Sequence, residues 1–182
     1  MPLPASELRA LVEAYLDDLA LTSELGSLAG PMRHAVGGKL VRPVLCLATG
    51  VSLGARPEQL LPAAAAVELV HSFSLVHDDL PSLDDDRERR GRPSVWARYD
   101  EATAILAGDA LLAEAFRLAL SYGNAAVARE LVDATISMIG GQWLDIRGEG
   151  DRGEVERLKT GALFSASIGC ALAALVVPYY YG

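Results

Sequence analysis

The segment from His77 to Pro93 places five aspartates directly before four arginines. These residues are Asp78, Asp79, Asp84, Asp85 and Asp86, then Arg87, Arg89, Arg90 and Arg92. Neighbouring like charges on a helix repel one another by about 0.2–0.5 kcal/mol per pair, and Mg²⁺ held by one or two carboxylates and a substrate phosphate relieves that repulsion. Arginine suits phosphate because its planar guanidinium donates two hydrogen bonds to one group. The segment therefore predicts a metal–diphosphate site, and a solvated charged loop is the alternative.

The spacing of the aspartates does not decide which two of them bind the metal. Asp78 and Asp84 are six residues apart, which places them on different faces of an ideal helix. Pro81 lies between them and disturbs a helix, so helical geometry is a poor guide at this point. Asp85, seven residues after Asp78, is the alternative partner on an undistorted helix.

Two basic positions elsewhere in the chain could bind an anion. Lys39 and Arg42 follow two glycines and present two cations on one face at the start of a predicted helix, where the helix dipole also favours anions. A solvated basic turn is the alternative there. Lys159, followed by Thr160, introduces an otherwise uncharged helix, so it either extends outward to water or faces an anion in a pocket.

Several other polar residues lie within apolar helical stretches. His71 precedes the aspartates on the same predicted helix, where a hydrogen-bonded core histidine is the alternative to a ligand-binding one. Gln142 shares a helix face with Asp145 and offers both a donor and an acceptor, which fits a functional contact as well as helix capping. Asp109 is predicted to be a buried structural hydrogen-bonding residue, and His77 either supports Asp78 or has no role.

Composition restricts the class of protein. The 182 residues are 51% hydrophobic and 6% aromatic, which predicts one domain with a core of alanine, leucine and valine. The net charge of −8 argues against nucleic acid and anionic membranes as general partners. The two cysteines, Cys46 and Cys170, have no metal-site spacing and fit buried thiols in a reducing cytoplasm, so we expect a cytoplasmic protein.

Residues 161–177 carry no charge, yet this stretch is slightly shorter than a membrane span and contains several serines and glycines. A buried helix is the favoured interpretation, so no membrane span is predicted. The N-terminal residues form an amphipathic pattern without the apolar centre of a signal peptide.

Apolar residues recur at helical spacing almost throughout, and no alternating strand pattern is visible. Ser6 is predicted to cap the first helix. Further helices are predicted from Leu40 to about Val51, from Pro57 to the acidic segment, and from Glu101 to Leu120 after a cap at Asp100. Another helix ends near Gly148, and the last runs from Asp151 to about Val177. Short loops between about seven helices predict an all-α helical bundle.

The order of these motifs closely resembles the trans-isoprenyl diphosphate synthases. The motifs are Gly-Gly-Lys and Arg-Pro at 37–43, His71, Asp-Asp-Leu-Pro-Ser-Leu-Asp at 78–84, Arg-Arg-Gly-Arg-Pro at 89–93, Gly-Gly-Gln at 140–142 and Lys-Thr-Gly at 159–161. The bacterial farnesyl and geranylgeranyl diphosphate synthases are the nearest groups. The resemblance implies an all-α helical bundle around a central cavity and a Mg²⁺-dependent joining of an allylic diphosphate, dimethylallyl or geranyl, to isopentenyl diphosphate.

The resemblance also implies a role for each matching residue. Asp78 and Asp84 would bind Mg²⁺ on the allylic diphosphate, and Asp79 would support them. That diphosphate would be held by Arg89 and Lys159, with Gln142 and Thr160 nearby. Isopentenyl diphosphate would be bound by Lys39, Arg42, His71 and Arg90. Phe73, five residues before Asp78, would limit product length and favour fifteen carbons.

The family carries a second aspartate-rich motif on a later helix, and this sequence contains none. We therefore expect residues 1–182 to form a single all-α prenyl synthase domain that is incomplete at its C-terminal end. A non-catalytic partner subunit and an inactive homologue are the alternatives, and a helical module that binds Ca²⁺ or Mg²⁺ without diphosphate is a third class. The resemblance implies a homodimer, and self-association is expected in each case because missing helices would leave apolar surface exposed.

Overall fold

The structure, a computed structural model, describes residues 3–176 and is almost entirely helical there. The α-helices of the described residues are α1 (Ala5–Asp17), α2 (Ala29–Ala35), α3 (Val41–Ser52), α4 (Pro57–Asp78), α5 (Val95–Arg98), α6 (Glu101–Ala119), α7 (Ala126–Arg147), α8 (Arg152–Glu156) and α9 (Ala162–Leu175). A 3₁₀ turn (Ser23–Leu28) precedes α2, and a π turn (Arg157–Gly161) joins α8 to α9. The all-α fold predicted from the sequence is confirmed.

Helix α4 is the central element of the bundle. Its apolar residues surround the helix on nearly all sides, and a run of four alanines, residues 63–66, is completely buried. Small side chains allow the neighbouring helices α3, α6 and α9 to pack closely around it. Cys46 and Cys170 lie in the same core as free thiols, as predicted. This core fixes the direction in which the C-terminal end of α4, with its aspartates, leaves the bundle.

Most of the predicted helix ends match the structure. Asp100 accepts a hydrogen bond from the backbone N–H of Thr103 at 2.6 Å, and Asp151 caps α8 in the same way. Gly148 ends α7 in the left-handed conformation, with φ of 62°. The predicted cap at Ser6 is wrong, because α1 begins at Ala5 after an extended Pro4 and has no side-chain cap. The predicted end of the last helix at Val177 lies outside the described residues.

A β-hairpin that sequence reasoning did not predict follows the aspartates. Strands β1 (Glu88–Arg89) and β2 (Arg92–Pro93) pair antiparallel across a turn in which Arg90 has φ of 60° and Gly91 has φ of 75°. Two-residue strands are too short to produce an alternating pattern, so periodicity could not reveal them. The hairpin projects Arg89 and Arg90 from one short, rigid element.

Two helical stretches are long and apolar enough to span a membrane by length and composition alone, Pro57–Asp78 and Arg152–Leu175. The first is the core helix α4, and 67% of its most apolar window is buried by the rest of the protein. For the second stretch the buried share is 39%. The core helices of soluble proteins share this length and composition, and the absence of a membrane span stays a prediction.

Candidate functional site

Asp78 and Asp84 are brought together because the chain folds back after α4. The helix ends at Asp78, before Pro81, and the backbone N–H of Asp84 donates to the carbonyl of Asp78 at 2.9 Å. The next residue, Asp85, donates its N–H to the carbonyl of Leu80 at 3.1 Å and has a left-handed backbone, with φ of 52°. The loop therefore closes the six-residue gap that an ideal helix would leave open.

The charges around Asp78 show that the acidic side chains converge. Partial burial raises the pKa of Asp78 to about 6, the Lys159 ammonium opposes that rise, and the carboxylates of Asp84 and Asp79 add to it. Asp84 is thus close enough to act on Asp78, whereas Asp85, exposed in the same loop as Asp84 is, is not among the charges that shift the pKa of Asp78. Two carboxylates that crowd each other beside a cation form a site prepared for a further positive charge.

Lys159 reaches this site from the π turn between α8 and α9. Its ammonium donates to Asp145 Oδ2 at 2.8 Å. Burial alone lowers the pKa of Lys159, but the hydrogen bond to Asp145 and the nearby charges of Asp78 and Asp84 outweigh burial, so the pKa is raised. Gly141 on α7 permits this approach, since a Cβ there would lie 2.6 Å from the Lys159 backbone nitrogen.

An open cavity of about 350 Å³ begins at Asp78 and extends between α4 and α7, and we name it the acidic cavity. Its polar wall contains Asp78, Lys159, Thr160 and Gln142, and its apolar wall contains Phe73, Met138, Ile139, Trp143 and Ile146. Gln142 Oε1 is buried and has no hydrogen-bond partner among residues 3–176. Phe73 is 8% exposed and meets the ring of His77 edge-on at 5.0 Å between centroids.

Asp79 has a different role from that of Asp78. Its carboxylate is buried and accepts hydrogen bonds from both Nε and Nη2 of Arg89, the first at 2.9 Å. Arg89 Nη2 also donates to Asp86 at 2.9 Å. The geometry therefore makes Asp79 the residue that holds Arg89, through a charge-assisted pair of hydrogen bonds, close enough for its charge to act on Asp78.

A second cavity, of about 600 Å³, lies between the loop before α3, helix α4 and the hairpin, and we name it the basic cleft. Its polar lining residues are Arg9, Lys39, Arg42, Glu68, His71 and Arg90. Gly38, with φ of 110°, lies against the Arg90 side chain, and a Cβ there would be 2.6 Å from the guanidinium carbon. Glycine at this position therefore allows the loop before α3 and the hairpin to present their cations to one space.

His71 and Arg42 line both cavities and contact each other. Arg42 Nη1 lies 3.2 Å from His71 Nε2, and the guanidinium lies over the ring of Phe164 at 4.5 Å. Burial and then the charge of Arg42 lower the pKa of His71 to about 3, so its ring is neutral near pH 7. Because a guanidinium only donates, Nε2 accepts and the ring proton is on Nδ1. His71 is thus at the meeting point of the two cavities.

Sequence reasoning missed Glu68. This residue is 2% exposed and lies on the wall of the basic cleft, one helical turn before His71. Burial raises the pKa of Glu68 to about 7, against the lowering effect of Arg90 and Arg42. A single carboxylate within the apolar run Leu60–Val70 was a visible signal, because a glutamate is rarely placed in a core without a partner.

The structure shows the surroundings of Asp109 and His77, for which the sequence analysis made predictions. Asp109 is exposed, with 62% of its side chain accessible, so the prediction of a buried hydrogen-bonding residue is wrong. Its apolar neighbours on α6 face the core while Asp109 lies on the outer side. His77 Nε2 is 3.1 Å from the carbonyl of Ile105 on α6, a contact that ties two helices together away from Asp78.

The residues at the acidic cavity fit a Mg²⁺ ion. Asp78 and Asp84 supply hard oxygen donors, and their mutual repulsion is the energetic cost that a cation would remove. Across residues 3–176 no group of three or more ligating side chains converges. An ion held by two carboxylates would complete its octahedral coordination with water and substrate oxygens, as Mg²⁺ commonly does.

Comparison with known proteins adds independent information. A family model described as polyprenyl synthetase matches residues 26–178. A farnesyl diphosphate synthase from Micrococcus luteus is 45% identical over 147 residues, covering 74% of this chain and 50% of that protein. A geranylgeranyl diphosphate synthase from Cyanophora paradoxa is 41% identical over 150 residues, with the same shares. The chain spans about half the length of the curated relatives it matches.

A solved structure has the same fold. The crystal structure of a geranyltransferase from Legionella pneumophila superposes with a TM-score of 0.80 at 35% identity, covering 93% of this chain and 66% of that one. A geranyltranstransferase from Thermotoga maritima superposes with a TM-score of 0.76 at 31% identity, covering 94% and 71% of the two chains.

Proposed function

Since the chain belongs to the polyprenyl synthetase family, we propose that it joins an allylic diphosphate to isopentenyl diphosphate, giving farnesyl diphosphate or a similar short-chain polyprenyl diphosphate. One observation carries the proposal: the acidic cavity and the basic cleft share Arg42 and His71 as a common wall. Two cavities that each offer cations to an anion, and that meet at one wall, suit a reaction between two diphosphate substrates. The names of the relatives, farnesyl and geranylgeranyl diphosphate synthase, support the same class of reaction.

The allylic substrate is assigned to the acidic cavity. Asp78 and Asp84 would hold Mg²⁺, which when bound neutralises diphosphate charge and stabilises the charge that develops as the leaving group departs. Lys159 donates to that diphosphate from one side, and Arg89, held in place by Asp79, donates from the other. The side chains beside them that complete the polar wall are Gln142 and Thr160.

Isopentenyl diphosphate is assigned to the basic cleft. Lys39, Arg42 and Arg90 supply three cations, and arginine in particular matches the geometry of phosphate oxygens. His71 is neutral and accepts a hydrogen bond from Arg42, so it orients that guanidinium rather than adding a charge. In this arrangement the diphosphate is held by side chains alone, without a metal.

The apolar wall of the acidic cavity protects the reaction from water. Breaking the allylic carbon–oxygen bond produces a cation that water would capture, and a wall of aliphatic and aromatic side chains keeps water away from it. The residues of that wall, on α4 and α7, also surround the space into which a growing hydrocarbon chain would extend.

Product formation is the direct test. Purified protein is incubated with isopentenyl diphosphate and either dimethylallyl or geranyl diphosphate, with Mg²⁺ or with EDTA, and the products are separated by chain length. The proposal expects Mg²⁺-dependent product. No turnover alone, but an altered rate or product length after mixing with a complete synthase, would favour a non-catalytic partner subunit.

Replacing Phe73 by alanine is expected to lengthen the product. The ring lies in the wall of the acidic cavity and is almost completely buried, so its removal deepens the space available to the chain. The substitution also costs about 3–5 kcal/mol of unfolding free energy, as phenylalanine-to-alanine changes in cores do. The measurement is product length by chromatography.

Leu69→Ala is the matched control for the Phe73 variant. Leu69 is a buried residue of the same helix and lines a different cavity, so its variant is destabilised without changing the acidic cavity. An unchanged product distribution in the folded Phe73 variant would contradict the assignment of this ring as the limit on chain length.

We also propose that the protein self-associates, and that a homodimer is its simplest form. Large apolar side chains are exposed on the described surface, and those of α6 and α9 lie outside the acidic cavity: Ile105, Leu106, Ile168 and Leu172. Such residues favour association when they are contiguous. Sedimentation velocity at several protein concentrations tests this proposal, and a monomer at all concentrations would contradict it.

A further inference from the structure

Glu68 is a carboxylate enclosed by the protein without a hydrogen-bond donor. Only 2% of the residue is exposed, and Oε1 has no partner in the part of the chain that the structure describes. Burying a charged group in this way is costly unless something compensates the charge. Glu68 nevertheless lies on the wall of a cavity, the basic cleft, so its carboxyl group is next to whatever enters there.

The compensating charges are close but not bonded to Glu68. Both Arg42 and Arg90 act electrostatically on Glu68, and both line the same cleft. Arg42 Nε is itself buried and has no acceptor within residues 3–176. Glu68 and Arg42 thus both line the cleft, and each has a buried polar atom without a partner among residues 3–176, a state that an anion binding the arginine would change.

We propose that Glu68 is the proton-linked counter-charge of the basic cleft: it balances the arginines as a carboxylate when the cleft is empty and takes up a proton when a diphosphate binds. This inference rests on the proposed function, because it assumes that the cleft accepts a diphosphate. It assigns Glu68 as a positioning residue that acts through Arg42 and Arg90.

The direction of the effect follows from the charges. In the empty cleft the pKa of Glu68 is about 7, because burial raises it and the arginines partly offset the rise. A bound diphosphate brings negative charge close to Glu68 and engages the arginines, so both changes raise the pKa further. A group whose pKa is higher in the complex than in the free protein takes up protons on binding. Affinity therefore falls as pH rises through 7.

The other groups that face this cavity do not produce the same pH dependence. They are Arg9 from α1, Lys39 from the loop before α3, Arg42 from α3, Arg90 from the hairpin and His71 from α4. The arginines stay protonated across the range. His71 has its pKa lowered to about 3, so it remains neutral. Glu68, by contrast, has a pKa of about 7, which lies within the pH range of the experiment.

The test measures binding of inorganic pyrophosphate by calorimetry in EDTA, so that only metal-free binding is observed, at pH 6 and pH 8.5. The variant Glu68→Gln keeps the shape of the side chain without its charge. Because pyrophosphate itself titrates, wild type and variant are compared at each pH. We expect equal affinity at pH 6 and about tenfold tighter binding by the variant at pH 8.5, because the wild type carries a negative charge there that the variant lacks.

The control is Glu114→Gln. Glu114 is also a buried glutamate, but it accepts hydrogen bonds from Thr22 and from Arg117 at 3.1 Å and 2.6 Å, and it is not among the lining residues of the basic cleft. The Glu114→Gln variant should show the same change in pyrophosphate affinity between pH 6 and pH 8.5 as the wild type. The inference would be overturned if the affinity of Glu68→Gln for pyrophosphate changed between pH 6 and pH 8.5 as much as that of the wild type. It would also be overturned if Glu68→Gln bound pyrophosphate more weakly than the wild type at both pH values.

A second measurement needs no variant and therefore does not depend on whether Glu68→Gln folds. The ¹³C resonance of the Glu68 carboxyl group should titrate at higher pH when pyrophosphate saturates the cleft. An unchanged titration would overturn the inference while leaving the proposed function in place. No pyrophosphate binding by wild type at pH 6 would instead overturn both.

Discussion

Replacing Asp78 by asparagine is expected to lower the rate of product formation by about 10²–10³-fold, the scale seen when one preorganised charge-stabilising group is removed. Asp78 ends the core helix α4 and lies beside both Asp84 and Lys159. Asparagine keeps the size of the side chain but removes one of the two charges proposed to hold Mg²⁺. The measurement is kcat with saturating substrates at several Mg²⁺ concentrations.

Asp85→Asn provides the matched control for the Asp78 variant. Asp85 belongs to the same loop and loses the same charge, but it is exposed and its backbone hydrogen bond points to Leu80. We expect its rate to stay within about twofold of wild type, since surface changes of this kind are usually small. A larger loss in Asp85→Asn than in Asp84→Asn would identify Asp85 as the distal ligand and contradict the assignment made here.

Replacing Lys159 by alanine is expected to lower kcat/KM for the allylic diphosphate by about 10²-fold, because one donor to the departing diphosphate is lost. The ammonium is held at 2.8 Å from Asp145 and also reduces the pKa of Asp78, so its removal leaves the repulsion between Asp78 and Asp84 with less compensation. The KM for isopentenyl diphosphate should change little, since Lys159 does not line the basic cleft.

Arg157→Ala controls for the loss of a cation from the same π turn. Arg157 is exposed and lines a surface groove on the other side of α7, so its variant should retain wild-type kinetics. If Lys159→Ala raised the KM for isopentenyl diphosphate as strongly as that for the allylic substrate, the assignment of the two substrates to two cavities would be wrong.

Much of the fold could be predicted because local sequence signals were strong. Pro57 begins α4, Asp100 and Asp151 cap their helices, and Gly148 ends α7, and each of these residues has a specific backbone preference. The cap at Ser6 was wrong because Pro4, two residues earlier, already supplies the extended residue before the helix. Local sequence thus predicted most helix ends, but it did not show whether Pro4 or Ser6 is the residue that precedes α1.

The site was less predictable, because its geometry depends on contacts between distant residues. The sequence showed that Asp78 and Asp79 are adjacent acids, yet one faces the cavity and the other is enclosed by Arg89 across the hairpin. Glu68 was missed because its partners, Arg42 and Arg90, come from other elements. Such pairings arise only when the helices and the hairpin are assembled.

Magnesium-dependent binding of pyrophosphate tests the central claim most directly. Calorimetry with the unmodified protein in EDTA should show binding to the basic cleft alone. Adding Mg²⁺ should then create a second class of binding that Asp78→Asn and Asp84→Asn each remove, while binding in EDTA stays intact in both variants. Identical binding curves with and without Mg²⁺, or a Mg²⁺-dependent class that survives both substitutions, would contradict the proposal that these two carboxylates hold a metal–diphosphate complex.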